Sequence, residues 1–249
     1  MEKSPLFSVI TVCYNSAATI GPTLESVKSQ TFTDYEYIVQ DGRSTDGTVA
    51  MVEKSGIAGL ELVSERDTGI YDAMNRALGR AQGVYVIFLN AGDAFHGADA
   101  LARLAAVAER EDRPGIIYGQ TILVDGKRKY VGPRHLTAPK DLQLDDFSRG
   151  MVVCHQAFVP LRRITGLYNA DYRFSADYEW CIKCLQHSRH NIYVGDEPLI
   201  EYLKEGTTTR NRRRSLIERW QIMAMYFGLW TTLCRHASFV ARAIKRRSL

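Results

Sequence analysis

The sequence lacks the pieces that would place it in several large classes. It has no G-x-x-x-x-G-K-[ST] stretch, and no G-x-G-x-x-G follows its first apolar run. Neither a P-loop nor a dinucleotide fingerprint is therefore available to cradle phosphates. Cysteine is scarce: five occur in 249 residues, an odd and scattered set that offers no disulfide framework and fits a reducing cytosol. Cys181-Ile-Lys-Cys184 has no second pair to complete a zinc site and reads as packing within a helix. The start, Met-Glu-Lys-Ser-Pro, runs into a short apolar stretch without a secretory h-region, so no leader is expected. A membrane-crossing helix needs about 20 mostly apolar residues. The uncharged stretch Trp220 to Cys234 is closed by Arg219 and Arg235 before reaching that length.

What is present describes a globular chain, with 45% hydrophobic and 24% charged residues, too apolar for disorder. Its formal charge of +4 conceals an asymmetry. Residues 204–249 hold 11 Lys and Arg against 2 acidic residues, a net +9. The preceding residues hold 21 basic against 26 acidic, a net −5. An acidic body with a basic tail implies that the tail meets something anionic.

Apolar patterning sets out alternating strands and helices. Phe7–Cys13 reads as a buried strand, followed by helical spacing of Ile20, Leu24 and Val27. Tyr35–Gln40 is a second strand, and a helix capped from Ser44, Thr45 or Asp46 reaches about Lys54. Leu60–Ser64, a helix over Ile70–Ala81, a strand over Val84–Leu89, a helix over 99–110 and a strand over Gly115–Gly119 continue the series. Val124–Arg128 is a hairpin turn, and residues 175–187 form a helix. This alternation predicts an α/β fold with a mostly parallel, Rossmann-like sheet flanked by helices. Ligands bind such sheets beyond the carboxyl ends of the strands. The acidic turns carrying Asp41, Asp67 and Asp93 fall at that edge.

Four segments occur in order: Phe7-Ser-Val-Ile-Thr-Val-Cys-Tyr-Asn15, Val39-Gln-Asp-Gly-Arg-Ser-Thr-Asp-Gly-Thr48, Glu65-Arg-Asp-Thr-Gly-Ile-Tyr-Asp-Ala-Met-Asn75 and Phe88-Leu-Asn-Ala-Gly-Asp93. Together they resemble a family 2 glycosyltransferase of GT-A fold, more narrowly the bacterial enzymes of exopolysaccharide assembly such as that of colanic acid. His155-Gln-Ala-Phe158 and Ser175-Ala-Asp-Tyr178 fit the same group, and the resemblance spans roughly residues 6–210. It implies an inverting transfer from a nucleotide-diphosphate sugar, UDP-linked by preference, to a hydroxyl of a saccharide or lipid-linked saccharide. It also implies a donor pocket drawn from Thr11, Tyr14, Asn15, Asp41, Asp67, Asp72, Asn75, Asn90 and Arg210. His155 and Gln156 are assigned to the acceptor or diphosphate side.

The resemblance sets Asp41 against the nucleobase and makes Asp93 the ligand of a divalent cation, Mn²⁺ or Mg²⁺. Asn90-Ala-Gly-Asp93 retains only the last carboxylate of the family's D-x-D, which suffices where phosphate oxygens complete the shell. His96 could add a ligand but reads equally as structural. Asp177 matches the family's catalytic base, with Ala176 standing where many relatives carry Glu. Glu179, two residues on, projects the other way on a helix. Each of these residues also has a plain reading as a helix cap or a packed turn.

Two other classes share some of these features. A sugar-nucleotide nucleotidyltransferase would carry a glycine-rich basic loop where Tyr14-Asn-Ser-Ala-Ala18 stands. A binding module could use the basic tail, although no nucleic-acid reader motif accompanies it. The tail itself, residues 206–249 against a catalytic domain of 1–205, spaces Leu216, Trp220, Met223, Phe227, Trp230 and Cys234 as one helical stripe. That stripe either packs on protein, its own body or a second subunit, or lies on an anionic membrane as a peripheral helix on the inner face of the plasma membrane.

Overall fold

The computed structural model describes residues 4–110, 112–204 and 212–245. Phe7–Cys13 forms β1, Tyr35–Asp41 β2, Leu60–Ser64 β3 and Tyr85–Phe88 β4, all parallel in the order β3-β2-β1-β4. Between them run α1 (Ile20–Lys28), α2 (Thr48–Glu53) and α3 (Ile70–Arg80). Strand parity divides the apolar side chains into two cores, because successive residues face opposite sides of a sheet. Ile10, Val12, Val86 and Phe88 face the core shared with α3. Phe7, Val9, Tyr85 and Ile87 face the core shared with α1.

Past β4 the alternation changes character. Ala94–Phe95 is β5, Ala100–Ala108 α4, Ile116–Val124 β6, Tyr130–Pro133 β7, Phe158–Pro160 β8, Ala176–His187 α5 and Asn191–Leu203 β9. The strand expected at Gly115–Gly119 does not join the parallel sheet. It becomes part of β6 in a second, mixed sheet, parallel to β9 and antiparallel to β7 and β8. The reason is pairing rather than propensity: β6 takes a strand about 80 residues downstream as its parallel partner. The turn at Val124–Arg128 closes the β6–β7 hairpin as predicted, through Arg128 N–H to Asp125 O at 2.9 Å.

The tail is corrected in form. Instead of one continuous stripe, Arg212–Phe227 forms α6 and Leu229–Lys245 forms α7, folded into a hairpin at Gly228 with φ +81°. A β-carbon is disfavoured at that dihedral, so glycine ends the first helix. Ile222 and Met223 of α6 are buried in the same core as Trp180 and Cys181 of α5, so Met223 lies inward. Of the five free cysteines, Cys13, Cys154, Cys181 and Cys184 are buried; Cys234 on α7 is exposed.

Candidate active site

The loops after β1, β3 and β4 converge with the end of β9 on a cleft of about 400 Å³. Its walls include Tyr14, Ser16, Asp67, Gly69, Ile70, Asn90, Asp93, Gln156, Tyr202 and Leu203. A larger hollow of about 570 Å³ lies at the opposite edge, beside Ser4 ahead of β1 and Gln82 ahead of β4. It is open and collects none of these loop carboxylates.

Asp93 sits at the floor, 5% exposed. Its Oδ2 accepts from Gln156 Nε2 at 2.6 Å, and its Oδ1 accepts from Leu203 N–H at 2.9 Å. Burial pushes its carboxyl up to about 7, against the pull of these two donors and of the Arg128 charge. Gly92 beside it has φ +104°, and a β-carbon there would come within 3.0 Å of Leu203 Cδ2. The backbone itself therefore favours glycine at the middle position of the D-x-D spacing, between Ala91 and Asp93.

The remaining residues divide between the cleft and the structure beneath it. Tyr14 is exposed on the wall, and Asn15, at φ +46°, receives Thr45 N–H on Oδ1 at 2.9 Å. Asp67 also lines the cleft; burial pushes its carboxyl up, while Gly69 N–H at 2.9 Å holds its Oδ1. Asp41 is fully buried. Its carboxylate accepts from the Ser44 backbone N–H at 2.8 Å, from the Ser44 hydroxyl, and from Ser64 Oγ at 2.6 Å. A base reaching it must displace one of those hydroxyls.

Thr11, Asp72 and Asn75 do not reach the cleft wall. Thr11 is buried, donating to Leu89 O and accepting from the Tyr37 hydroxyl. Asp72 caps its own turn through Thr68 N–H and grips Arg76 at 3.0 Å. Asn75 exchanges two hydrogen bonds with the Tyr168 backbone, at 2.7 and 2.9 Å, and so pins a distant loop. His155 is likewise buried, with Nε2 at 2.7 Å from the Tyr168 hydroxyl, whereas its neighbour Gln156 meets Asp93. Arg210 lies outside the described residues. His96 faces Glu201 at 3.1 Å instead of Asp93.

Asp177 stands in the first turn of α5, half-buried. Its Oδ1 accepts from the Tyr71 hydroxyl at 3.1 Å and from Tyr178 N–H at 2.9 Å. Its Oδ2 makes no hydrogen bond among the described residues. Glu179 points away into a buried contact with Tyr226 and Lys183, as helical geometry requires. Tyr202 lines the cleft wall; burial raises its phenol first, and the charges of Asp93 and Asp177 both add to the rise. Sequence reasoning missed Tyr202 and Leu203, whose position depends on β9 returning past the end of β4.

Among the described residues no group of three or more His, Cys, Asp or Glu side chains is arranged to hold a metal. A cation here would lean on phosphate oxygens. Asp93 and Asn90 on the cleft wall carry oxygens of the hard type that Mg²⁺ and Mn²⁺ take. Asn90 Oδ1 is buried without a hydrogen-bond partner among the described residues, a costly state that a ligand would relieve.

Known proteins of similar sequence and fold are glycosyltransferases. The profile for "Glycosyl transferase family 2" matches residues 8–164. A PGL/p-HBAD biosynthesis glycosyltransferase of Mycobacterium tuberculosis is 35% identical over 191 residues, covering 74% of this chain and 71% of the relative. TuaG of Bacillus subtilis, named for teichuronic acid biosynthesis, is 27% identical across 98% of both chains. Among solved structures, S. aureus TarS 1-349 in complex with UDP-GlcNAc gives a TM-score of 0.70 at 21% identity, covering 94% of this chain and 73% of that one. Mannosyltransferase PcManGT from Pyrobaculum calidifontis, in complex with GDP-Man and Mn²⁺, gives 0.63 at 19% identity, covering 96% and 76%.

Proposed function

The chain belongs to glycosyl transferase family 2, and from that membership we propose that it inverts the anomeric carbon of a UDP-sugar as it transfers the sugar to a saccharide hydroxyl. The relatives named for PGL/p-HBAD and teichuronic acid biosynthesis support an acceptor in surface polysaccharide or glycolipid assembly, carried on a lipid. Such an acceptor places the enzyme in the cytoplasm, at the inner face of the plasma membrane. TarS with UDP-GlcNAc supports a uridine donor on this fold, and uracil N3–H is a donor that Asp41 could accept.

The reading rests on one observation: Asp177 has Oδ1 pinned by Tyr71 and Tyr178, leaving Oδ2 without a hydrogen bond among the described residues. The acceptor hydroxyl donates to Oδ2 and loses its proton there as its oxygen attacks the anomeric carbon. The bond from that carbon to the diphosphate oxygen breaks on the opposite side, and nucleoside diphosphate leaves. Tyr71 and the first turn of α5 keep the carboxylate in place. Gln156 orients Asp93 by holding its Oδ2. A divalent cation held by Asp93 and Asn90 would supply Lewis-acid stabilisation of the departing diphosphate.

Asp177→Asn keeps the shape and removes the base. Transfer should fall by about 10²-fold or more, while UDP binding measured by calorimetry stays within about twofold, a negligible free-energy change. Near-wild-type release of UDP in the presence of acceptor would refute the assignment.

A further inference from the structure

The α6–α7 hairpin is apolar on the wrong side. A surface helix packs one stripe inward and turns a polar face to water. On α6 the inward stripe is Ser215, Ile222 and Met223, all buried. The surface left to water should be polar, yet Leu216, Ile217, Trp220 and Met225 are 38 to 67% exposed. The same inversion continues on α7. Thr232 is buried and Arg235 reaches inward to Ser148, while Leu229, Trp230 and Leu233 are exposed, Trp230 at 79%.

Both helices touch the 3₁₀ segment Leu144–Arg149, so the hairpin is seated on the body and its exposed apolar side chains are left uncovered among the described residues. An exposed apolar patch of this kind marks an interaction site. Charge decides between occupants. Residues 204–249 carry a net +9, and Arg213 and Arg214 are exposed on the α6 surface. A second copy would bring this charge against itself, whereas an anionic bilayer complements it. No helix among the described residues is long and apolar enough to cross a membrane, so contact must be parallel to the surface.

We propose that the outer face of the α6–α7 hairpin docks the protein on anionic lipid, with Trp220, Trp230 and the leucines at headgroup depth and the arginines against lipid phosphates. This deepens the proposed function by naming the surface that would bring the cleft to a lipid-linked acceptor, but its test does not depend on turnover. The surface differs from the stripe read in the sequence, since Met223 lies in the core and the helix turns back at Gly228.

The full chain is mixed with vesicles of phosphatidylcholine alone, or of equimolar phosphatidylcholine and phosphatidylglycerol, and sedimented. Binding is expected to the anionic vesicles only, to weaken with added salt, and to blue-shift emission from Trp220 and Trp230, Trp180 being already buried. Trp230→Glu combined with Leu233→Glu should reduce vesicle affinity by at least about tenfold. Unchanged circular dichroism and UDP affinity would show that the variant is folded. Wild-type vesicle binding by that folded variant would overturn the proposal. So would absence of vesicle binding by the wild type, including the case where sedimentation equilibrium shows a dimer that the double variant dissolves. Failure of sugar transfer with vesicle binding intact would instead count against the enzymatic reading alone.

Discussion

His155 is enclosed by the rings of Phe88, Tyr168 and Trp180, with centroids 5.2 to 5.8 Å away. Burial lowers its pKa to about 4, only partly opposed by the charge of Asp177. Between about pH 4 and the ordinary value near 6.5, the unfolded chain binds a proton that the folded chain refuses. Stability contributed by the neutral ring is therefore present above about pH 6.5 and lost as pH falls toward about 4, by up to about 3 kcal/mol. Denaturant midpoints measured across that range should fall more steeply in the wild type than in His155→Gln. Parallel curves would mean that the imidazole is not held neutral. Individual side chains were also where the sequence was least legible. The strand-end positions of Asp67 and Asp93 follow from periodicity. Asp72 turns to Arg76 as an i,i+4 pair that helical spacing allows, whereas Asn75 clasps Tyr168 from 93 residues away through hydrogen bonds that no spacing encodes.

Helix α6 does more than cover the core. The Glu218 carboxylate accepts from two successive backbone N–H groups, Arg173 at 3.0 Å and Phe174 at 2.9 Å. Ser215 meets Ser175 at 3.2 Å, and the Tyr226 hydroxyl donates to Glu179. The segment that delivers Asp177 is thus fastened to α6 on both sides. Glu218→Ala should cost about 1.5–3 kcal/mol, as expected for lost hydrogen bonds to a charged group. It should also lower kcat several-fold with donor KM unchanged, because Asp177 would be less well positioned. Glu218→Gln, which keeps one acceptor oxygen, should recover part of the rate; a purely structural role would move stability without this split. The helical period of the tail could be read in the sequence. Its fold into a hairpin could have been signalled by Gly228, but its grip on residues 173–179 depends on tertiary contact.

Across the whole molecule, the proposed transfer asks an acidic body of −5 to accept a donor bearing a negatively charged diphosphate at an edge lined by Asp67 and Asp93. Like charges oppose that encounter unless a cation intervenes. Excess chelator should therefore reduce transfer by at least about tenfold, and added Mn²⁺ or Mg²⁺ should restore it; undiminished turnover would exclude a metal role. The first half of the architecture was legible because each βα unit is local. The second sheet was not, since β9 pairs with β6 and then supplies Leu203 to Asp93 across 110 residues. The placement of cysteine has its own consequence at this scale. Burial pushes the Cys13, Cys154, Cys181 and Cys184 thiols up and shields them, which suppresses their reactivity. Cys234, on the outer side of the hairpin, is the single accessible thiol. A maleimide dye would attach there once, remote from the cleft, turning the native chain into its own reporter of whether that face is in water or in lipid.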